Sequence, residues 1–568
     1  MKRILLAVSA SILFLAGCGD DNGSTQSDDG ATVAGAAPSA STGRSADAGP
    51  GFFARIDADT AYVMANAERL PEHVVDRMWA INDASSQSNE QMLQSLSEDE
   101  DIDPATRALV TELMSLTTRE GWEAAGLPAN PRYAIHGVSL LPMLHLELAD
   151  EAAFRELVAR VEAQLEQPLE RREVDEEQVL WLPIDAGFGA AIHIGDTAVS
   201  AALLPDDGAL LARLTGQVDP VDPMSADAFR RFNADNGFTP YSSGYLDWRR
   251  VLASLQDPSF PMAEEPGAGM LSDPACAVEF EALTEAMPRV IAGYTALDEN
   301  AATFLARQQT SADLGARLAP ISRSPVSLDR ELSGLFSLGM AVDLVAAREF
   351  ARSLVDGWAE NPPQCMAFAG IAGNIENMQA ALSRPIPPVV TNLHGLYIEA
   401  LEFALGENGI PTGGGTLTMY MRNPQLLVGM AQMFSPAVAE LDLQPGGEAK
   451  KVPAEALPQL QGLGLEGWMA LGESAIGLAV GESQVSSMMD TLDATSTDPH
   501  LLSMQFDVDA LTQLMDSAMS MVDDEEARQA LETQRAQYEA MAEYYDAFTM
   551  RISLGEAGID MSFVTTFE

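Results

Sequence analysis

The sequence predicts an α+β protein built as two tandem homologous units, each an antiparallel-rich sheet with helices packed on it. Short segments alternate apolar and polar residues and are joined by tight turns, the pattern of antiparallel strands packed on one side. The stretch Ile194 to Leu203, with Gly195, Asp196, Thr197, Ala198 and Val199 in that order, recurs as Leu471 to Val480 with Gly472, Glu473, Ser474, Ala475 and Ile476. Matches on either side of the two copies keep the same order, as an internal duplication requires.

The chain of 568 residues is too long for one core and has ample apolar content, 47%, for several. Its 84 Asp and Glu against 32 Lys and Arg give a formal charge of −52. That acidic surface excludes a nucleic-acid backbone or an anionic lipid surface as the main partner.

The N-terminus reads as an address. Lys2 and Arg3 precede an apolar run from Ile4 to Phe14, too short to span a bilayer, and then Leu15-Ala16-Gly17-Cys18. This resembles a bacterial lipoprotein signal with its lipobox; the alternative is an ordinary cleaved signal with a chance cysteine. The resemblance implies a signal peptide at 1–17, lipidation of Cys18 and a membrane anchor without a transmembrane helix. Gly19 stands where Asp would resemble an inner-membrane retention signal, so the expected location is the outer membrane, facing the periplasm. Residues 18–52 hold few large apolar side chains and read as a lipidated cysteine with a disordered tether of roughly 30 Å r.m.s. span.

The first unit is expected at 53–310, a linker at 311–324 and the second unit at 325–568. Each unit opens with a strand, Ala61 to Asn66 and Phe336 to Asp343, that leads into a helix. Next come His136-Gly137 and His394-Gly395, expected at equivalent places. The strands Met143–Leu148 and Thr416–Met421 then enter helices near Asp150 and Asn423, residues whose side chains cap the first turn. A loop ending at Gly415 explains the longer second half, and Gly413-Gly414-Gly415 reads as a hairpin loop rather than a phosphate loop, because no Lys follows and a strand does. After each copy of the repeated hairpin stands a helix with acids in its first turn, at Asp206 to Leu214 and Glu482 to Leu492. Asp247 and Asp507 follow, each closing a strand and opening a helix, and read as helix caps. Hairpins at Ile291–Arg307 and Thr549–Val564 close the units.

In an oxidising periplasm Cys276 and Cys365 can form one disulfide, closing a loop that contributes roughly 4 to 5 kcal/mol in the chain-entropy model; the alternative is two buried thiols. No stretch has the spacing of a zinc protease, a P-loop, a nucleophile elbow or a dinucleotide fingerprint, so no enzyme, metal or cofactor is expected. The paired His136 and His394 are the positions of interest for a shared ligand, against a structural histidine at a strand end. The methionines of the second half, among them Met419, Met430, Met433, Met488, Met504 and Met521, read as core, with an adaptable apolar pocket as the alternative.

The segments Asp57–Asn66, Gly195–Val199 and Tyr245–Trp248 resemble a family of large bacterial envelope proteins built around a domain of unknown function. That resemblance supports fold and location. The function expected is a membrane-anchored periplasmic lipoprotein acting as a non-enzymatic binding or scaffolding module for an envelope protein partner. The alternative is a carrier of an apolar ligand, such as lipid, in a Met-lined cavity.

Overall fold

Period-two alternation of side chains produces strands throughout the computed structural model, and the faces they define organise both of its units. The structure describes residues 51–83, 104–257, 273–322, 334–405 and 411–567, with short gaps at 166–167, 186, 458–459, 461–464, 493–499 and 523. Its sheets are antiparallel and helices pack on them, an α+β fold. Cys18, the signal peptide, nearly all of the tether and Met521's side chain lie outside the described residues. Among those described, no helix is long and apolar enough to cross a membrane.

The first unit holds residues 51–257 and 288–299. Its strands are β1 (Tyr62–Ala65), β2 (Tyr133–Val138), β3 (Leu141–Glu147), β4 (Glu170–Val174), β5 (Glu177–Asp185), β6 (Phe188–Ile194), β7 (Ala198–Pro205), β8 (Ser243–Asp247) and β9 (Arg289–Leu297). They pair in the order β4-β5-β6-β7-β3-β2-β1-β8-β9. Between them lie α1 (Pro104–Ser115), α2 (Arg119–Ala124), α3 (Glu151–Glu162), α4 (Gly208–Thr215), α5 (Ala226–Asn236) and α6 (Trp248–Gln256). Apolar residues cover both sides of this sheet, where one packed side was expected. Tyr133, Leu146, Val199 and Ile194 meet Leu116, which follows α1, Trp122 of α2 and Leu157 of α3. The opposite side sends Met143, Ala202 and Trp181 against Leu211 and Leu214 of α4, and Val63 and Ala134 against Phe229 of α5.

The second unit holds residues 273–287 and 300–567. Its strands are β10 (Ala301–Gln309), β11 (Phe336–Ala341), β12 (Leu393–Leu405), β13 (Pro411–Met421), β14 (Lys450–Lys451), β15 (Gly467–Leu471), β16 (Ala475–Val480), β17 (Leu502–Asp507), β18 (Tyr545–Leu554) and β19 (Gly558–Phe567). They pair in the order β14-β15-β16-β13-β12-β11-β17-β18-β19-β10. The helices used below are α7 (Pro274–Ala286), α8 (Ala312–Leu318), α9 (Leu344–Glu360), α10 (Pro424–Phe434), α11 (Val485–Leu492), α12 (Val508–Met521) and α13 (Glu525–Ala542).

The second unit takes in chain on both sides of β9, residues 273–287 and 300 onward. The strand expected to close the first unit, β10, pairs along its whole length with β19, and Arg307 binds Asp560 there at 2.5 Å. The segment expected as a linker contains α8, capped by Ser311, whose hydroxyl accepts the Leu314 N–H. Proline and sparse periodicity mark 319–325, but Leu318, Ala319 and Ile321 are buried. Gly413, Gly414 and Gly415 are likewise not a loop: they are ladder residues of β13, paired with Phe403, Glu402 and Ala400. Only glycine fits at 415, where a Cβ would stand 2.4 Å from the Glu399 carbonyl oxygen.

The repeated stretch forms the same turn twice. Gly195 donates its N–H to the Ala198 carbonyl and Gly472 to that of Ala475, each at 2.9 Å. Matching the two copies by sequence sets Ala202 beside Ala479, and the ladders carry that match onward. Ala202 pairs with Met143, Met143 with His136, His136 with Val63 and Val63 with Tyr245. The parallel path runs Ala479, Thr416, Glu399, Ser337, Gln505. Two residues further along the last strands stand Asp247 and Asp507, each capping the helix that follows. The two units thus share strand order and register from β7 and β16 across to β8 and β17.

Candidate functional site

The register just traced separates the two histidines that the sequence pairs. His136 corresponds to Glu399, while His394 lies five residues before Glu399, at the start of β12. The matching Gly that follows each histidine is the source of the misalignment. Their surroundings differ too. His394 is half-buried; its Nε2 accepts a hydrogen bond from Arg422 Nε at 3.1 Å, and Arg422 reaches Asp343 at 3.3 Å. Burial and the Arg422 charge lower its pKa, with Asp343 opposing them.

His136 belongs to a buried cluster inside the first unit. Its Nε2 lies 3.3 Å from Nε2 of His145, and His145 Nδ1 lies 2.8 Å from Ser200 Oγ. Arg55 donates to the same Ser200 oxygen at 3.4 Å, and the ring of Phe52 stacks on His145. His193, also buried, faces Glu177 at 3.1 Å. Burial is the largest cause lowering both members of the pair: His136 falls to about 4, with Arg213 adding to the effect, and His145 falls well below the usual histidine value, with His136, Arg55 and His193 adding. Both imidazoles are therefore neutral at neutral pH. A serine hydrogen-bonded to histidine has the chemistry of a nucleophile with its base. Ser200 and His145, both fully buried, instead tie β7 to β3 under Phe52.

The two paired aspartates are caps, as expected. Asp247 accepts the Arg250 N–H at 3.3 Å and binds Arg289 at 2.8 Å; Asp507 accepts the Ala510 N–H at 2.9 Å, and burial raises its pKa. Cys276 and Cys365 are joined in a disulfide. It fastens α7 within the second unit, where Glu279 accepts the N–H groups of Gln364 and Cys365 and Phe280 packs on Phe368.

One cleft, of about 310 Å³, opens in the first unit between the ends of β1 and β2 and α6. Asp57, Asp59, Asp257 and Arg250 line it, and no methionine does. Arg250 is committed to the carbonyls of Ala58 and Thr60, at 3.2 and 2.9 Å. Among the described residues no group of three or more His, Cys, Asp or Glu stands ready to hold a metal ion.

The second unit carries the feature that the sequence reading missed. On β11 and β17 the side turned inward is polar: Ser337, Glu399, Thr416, Gln505 and Thr549 form one cross-strand row, none more than 4% exposed. Helix α11 meets this side, with Ser487 donating to Glu399 at 3.1 Å and Thr418 in contact with Thr491 at 2.5 Å. The other side is apolar. Its central row is Met469, Leu478, Leu417, Ile398, Leu338, Met504, Met550, Phe563 and Phe304, one residue from each of nine neighbouring strands. Beside it run Met340, Leu502, Ile552 and Met561, and on the other flank Phe336, Phe506 and Phe548. None of the residues of this side from β11 to β19 is fully buried, and Met340, Met561 and Phe563 remain 42%, 37% and 40% exposed. Only toward β15 and β16 does the same side close over, where Leu471 and Ile476 meet Val428 of α10. The signal is present in Thr549-Met550-Arg551-Ile552-Ser553-Leu554, an alternation in which Thr549 is buried while Met550 and Ile552 are only partly covered.

The methionines divide accordingly. Met421 and Met488 are core, whereas Met430 and Met433 on α10 are exposed, Met433 by 81%.

No protein-family model, curated protein or solved structure matches the chain.

Proposed function

We propose that the chain is a membrane-anchored, non-enzymatic binding protein of the cell envelope, and that it carries an apolar ligand on the open side of the second unit's sheet. The observation that carries this is the reversed sidedness of that sheet, whose buried row is polar while the row from Leu338 to Phe563 is only partly covered and Met340, Met561 and Phe563 are exposed. A sheet left to itself buries its apolar side, and apolar surface of this extent held open marks a binding site. Methionine suits the task because its unbranched, polarisable side chain adapts to an irregular surface. The lipobox supports an anchor at Cys18, and the acidic tether supports a body held clear of the headgroups.

A second reading, the docking of an envelope protein partner, has its own support. Leu426, Met430 and Met433 recur at helical spacing on α10 and are all exposed. Such a stripe is the usual face of a helix that docks to a partner.

The test is a photoreactive amino acid placed at Phe563, at Met433 or at Val221, a fully exposed residue of the first unit. Ligand carriage predicts a small-molecule adduct at 563 and none at 221. A protein adduct at 433 with nothing at 563 replaces the first reading with the second.

A further inference from the structure

We infer that the occupant of this open side is the acyl chain of a phospholipid taken singly, an inference that rests on the reading of the side as a binding surface. The chemistry of the surface selects it. From Met469 to Phe304 the central row offers no side-chain donor or acceptor. Whatever lies on it must bring no polar groups that need partners, since each one stripped of water without a hydrogen bond weakens binding. A peptide brings an N–H and a C=O with almost every residue. A polymethylene chain brings neither.

The dimensions agree. Strands lie about 4.8 Å apart, so the row from Ile398 on β12 through Leu338, Met504 and Met550 to Phe563 on β19 spans roughly 19 Å. That exceeds the roughly 15 Å of hydrocarbon in one leaflet. An acyl chain lying across the strands would run from Leu338 and Met504 to the exposed rim at Met561 and Phe563.

Charge narrows the choice further. With a formal charge of −52, a second copy of this chain would bring like charge to the contact, and so would an anionic membrane surface. A neutral hydrocarbon brings none, and a zwitterionic headgroup can remain in water beyond the rim.

The experiment uses the full chain carrying Cys18→Ser, so that no acyl group of its own anchor competes. It is mixed with phosphatidylcholine vesicles that contain a pyrene-acyl phosphatidylcholine. Withdrawal of single lipids dilutes the probe and raises the ratio of monomer to excimer fluorescence. The expected result is a saturable rise that falls at least tenfold in Phe563→Glu and in Met561→Glu and is unchanged in Val221→Glu. The two tested residues are exposed, so the substitutions leave the cores intact, and circular dichroism checks this. No rise with the Cys18→Ser chain, or an equal rise in both variants, overturns the inference. If the probe at 563 still captures some other apolar molecule while no pyrene lipid is withdrawn, the acyl-chain inference falls and the carrier reading stands. If neither signal appears, both fall. A dimer by sedimentation that Phe563→Glu dissolves would name a second copy as the occupant and overturn the inference as well.

Discussion

His136 and His145 face one another across β2 and β3 with their Nε2 atoms 3.3 Å apart, both fully buried and both neutral. One imidazole therefore donates to the other, and neither can take a second proton without placing a charge beside Arg55 or Arg213.

Acid should destabilise the first unit in a defined window. A histidine whose folded pKa is lowered binds fewer protons folded than unfolded, so its contribution is present above the unfolded value near 6.5 and is lost as pH falls toward the folded value of about 4. For His136 this amounts to roughly 2 to 4 kcal/mol. Thermal melts from pH 7.5 to 4 should show the loss. His136→Leu should flatten the profile; an unchanged slope would remove His136 as its source.

Reduction of the Cys276–Cys365 disulfide frees α7 from its covalent hold. Loss of the bridge should cost about 4 kcal/mol, seen as a lower melting temperature for the second unit. Cys276→Ser should match the reduced protein, and the first unit's transition should not move.

The two caps should differ in cost. Asp507→Ala removes one hydrogen bond at the start of α12 and should cost about 1 kcal/mol. Asp247→Ala also breaks the 2.8 Å ion pair with Arg289 and should cost more, about 1 to 2 kcal/mol. Denaturant melts of the two variants, compared at equal slope, measure the difference.

A fragment beginning at residue 325 lacks β10, α8 and the Cys276 partner, whereas one beginning at 273 retains all three. The longer fragment should unfold cooperatively at a clearly higher temperature. Equal melting of both would show that β10 adds little to the second unit.

Local chemistry was legible in the sequence wherever it depended on neighbours in the chain. The caps at Asp150, Asn423, Asp247 and Asp507, and the turns at Gly195 and Gly472, all stand where residue type placed them. What the sequence hid depends on long-range pairing. Ser200 and His145 are 55 positions apart, and only the β3–β7 ladder brings them together. Glycines at 413 to 415 looked like a loop because composition does not show that a neighbouring carbonyl leaves no space for a side chain. The open side is not legible in the sequence because alternation reports that a strand has two different faces, not which one is covered. On β11 and β17 the polar face is the buried one.

The path of the chain bears on how the protein is made. Strand β8 is synthesised before α7, yet its partner β9 follows α7, and α7 itself belongs with Cys365, which emerges 89 residues after Cys276. A chain threaded outward from its N-terminus usually completes one domain before the next begins. Here the Cys276 thiol has no partner until Cys365 has been synthesised. The disulfide is therefore a late tie, and the docking of α7 is set by the timing of disulfide exchange as much as by the packing around it.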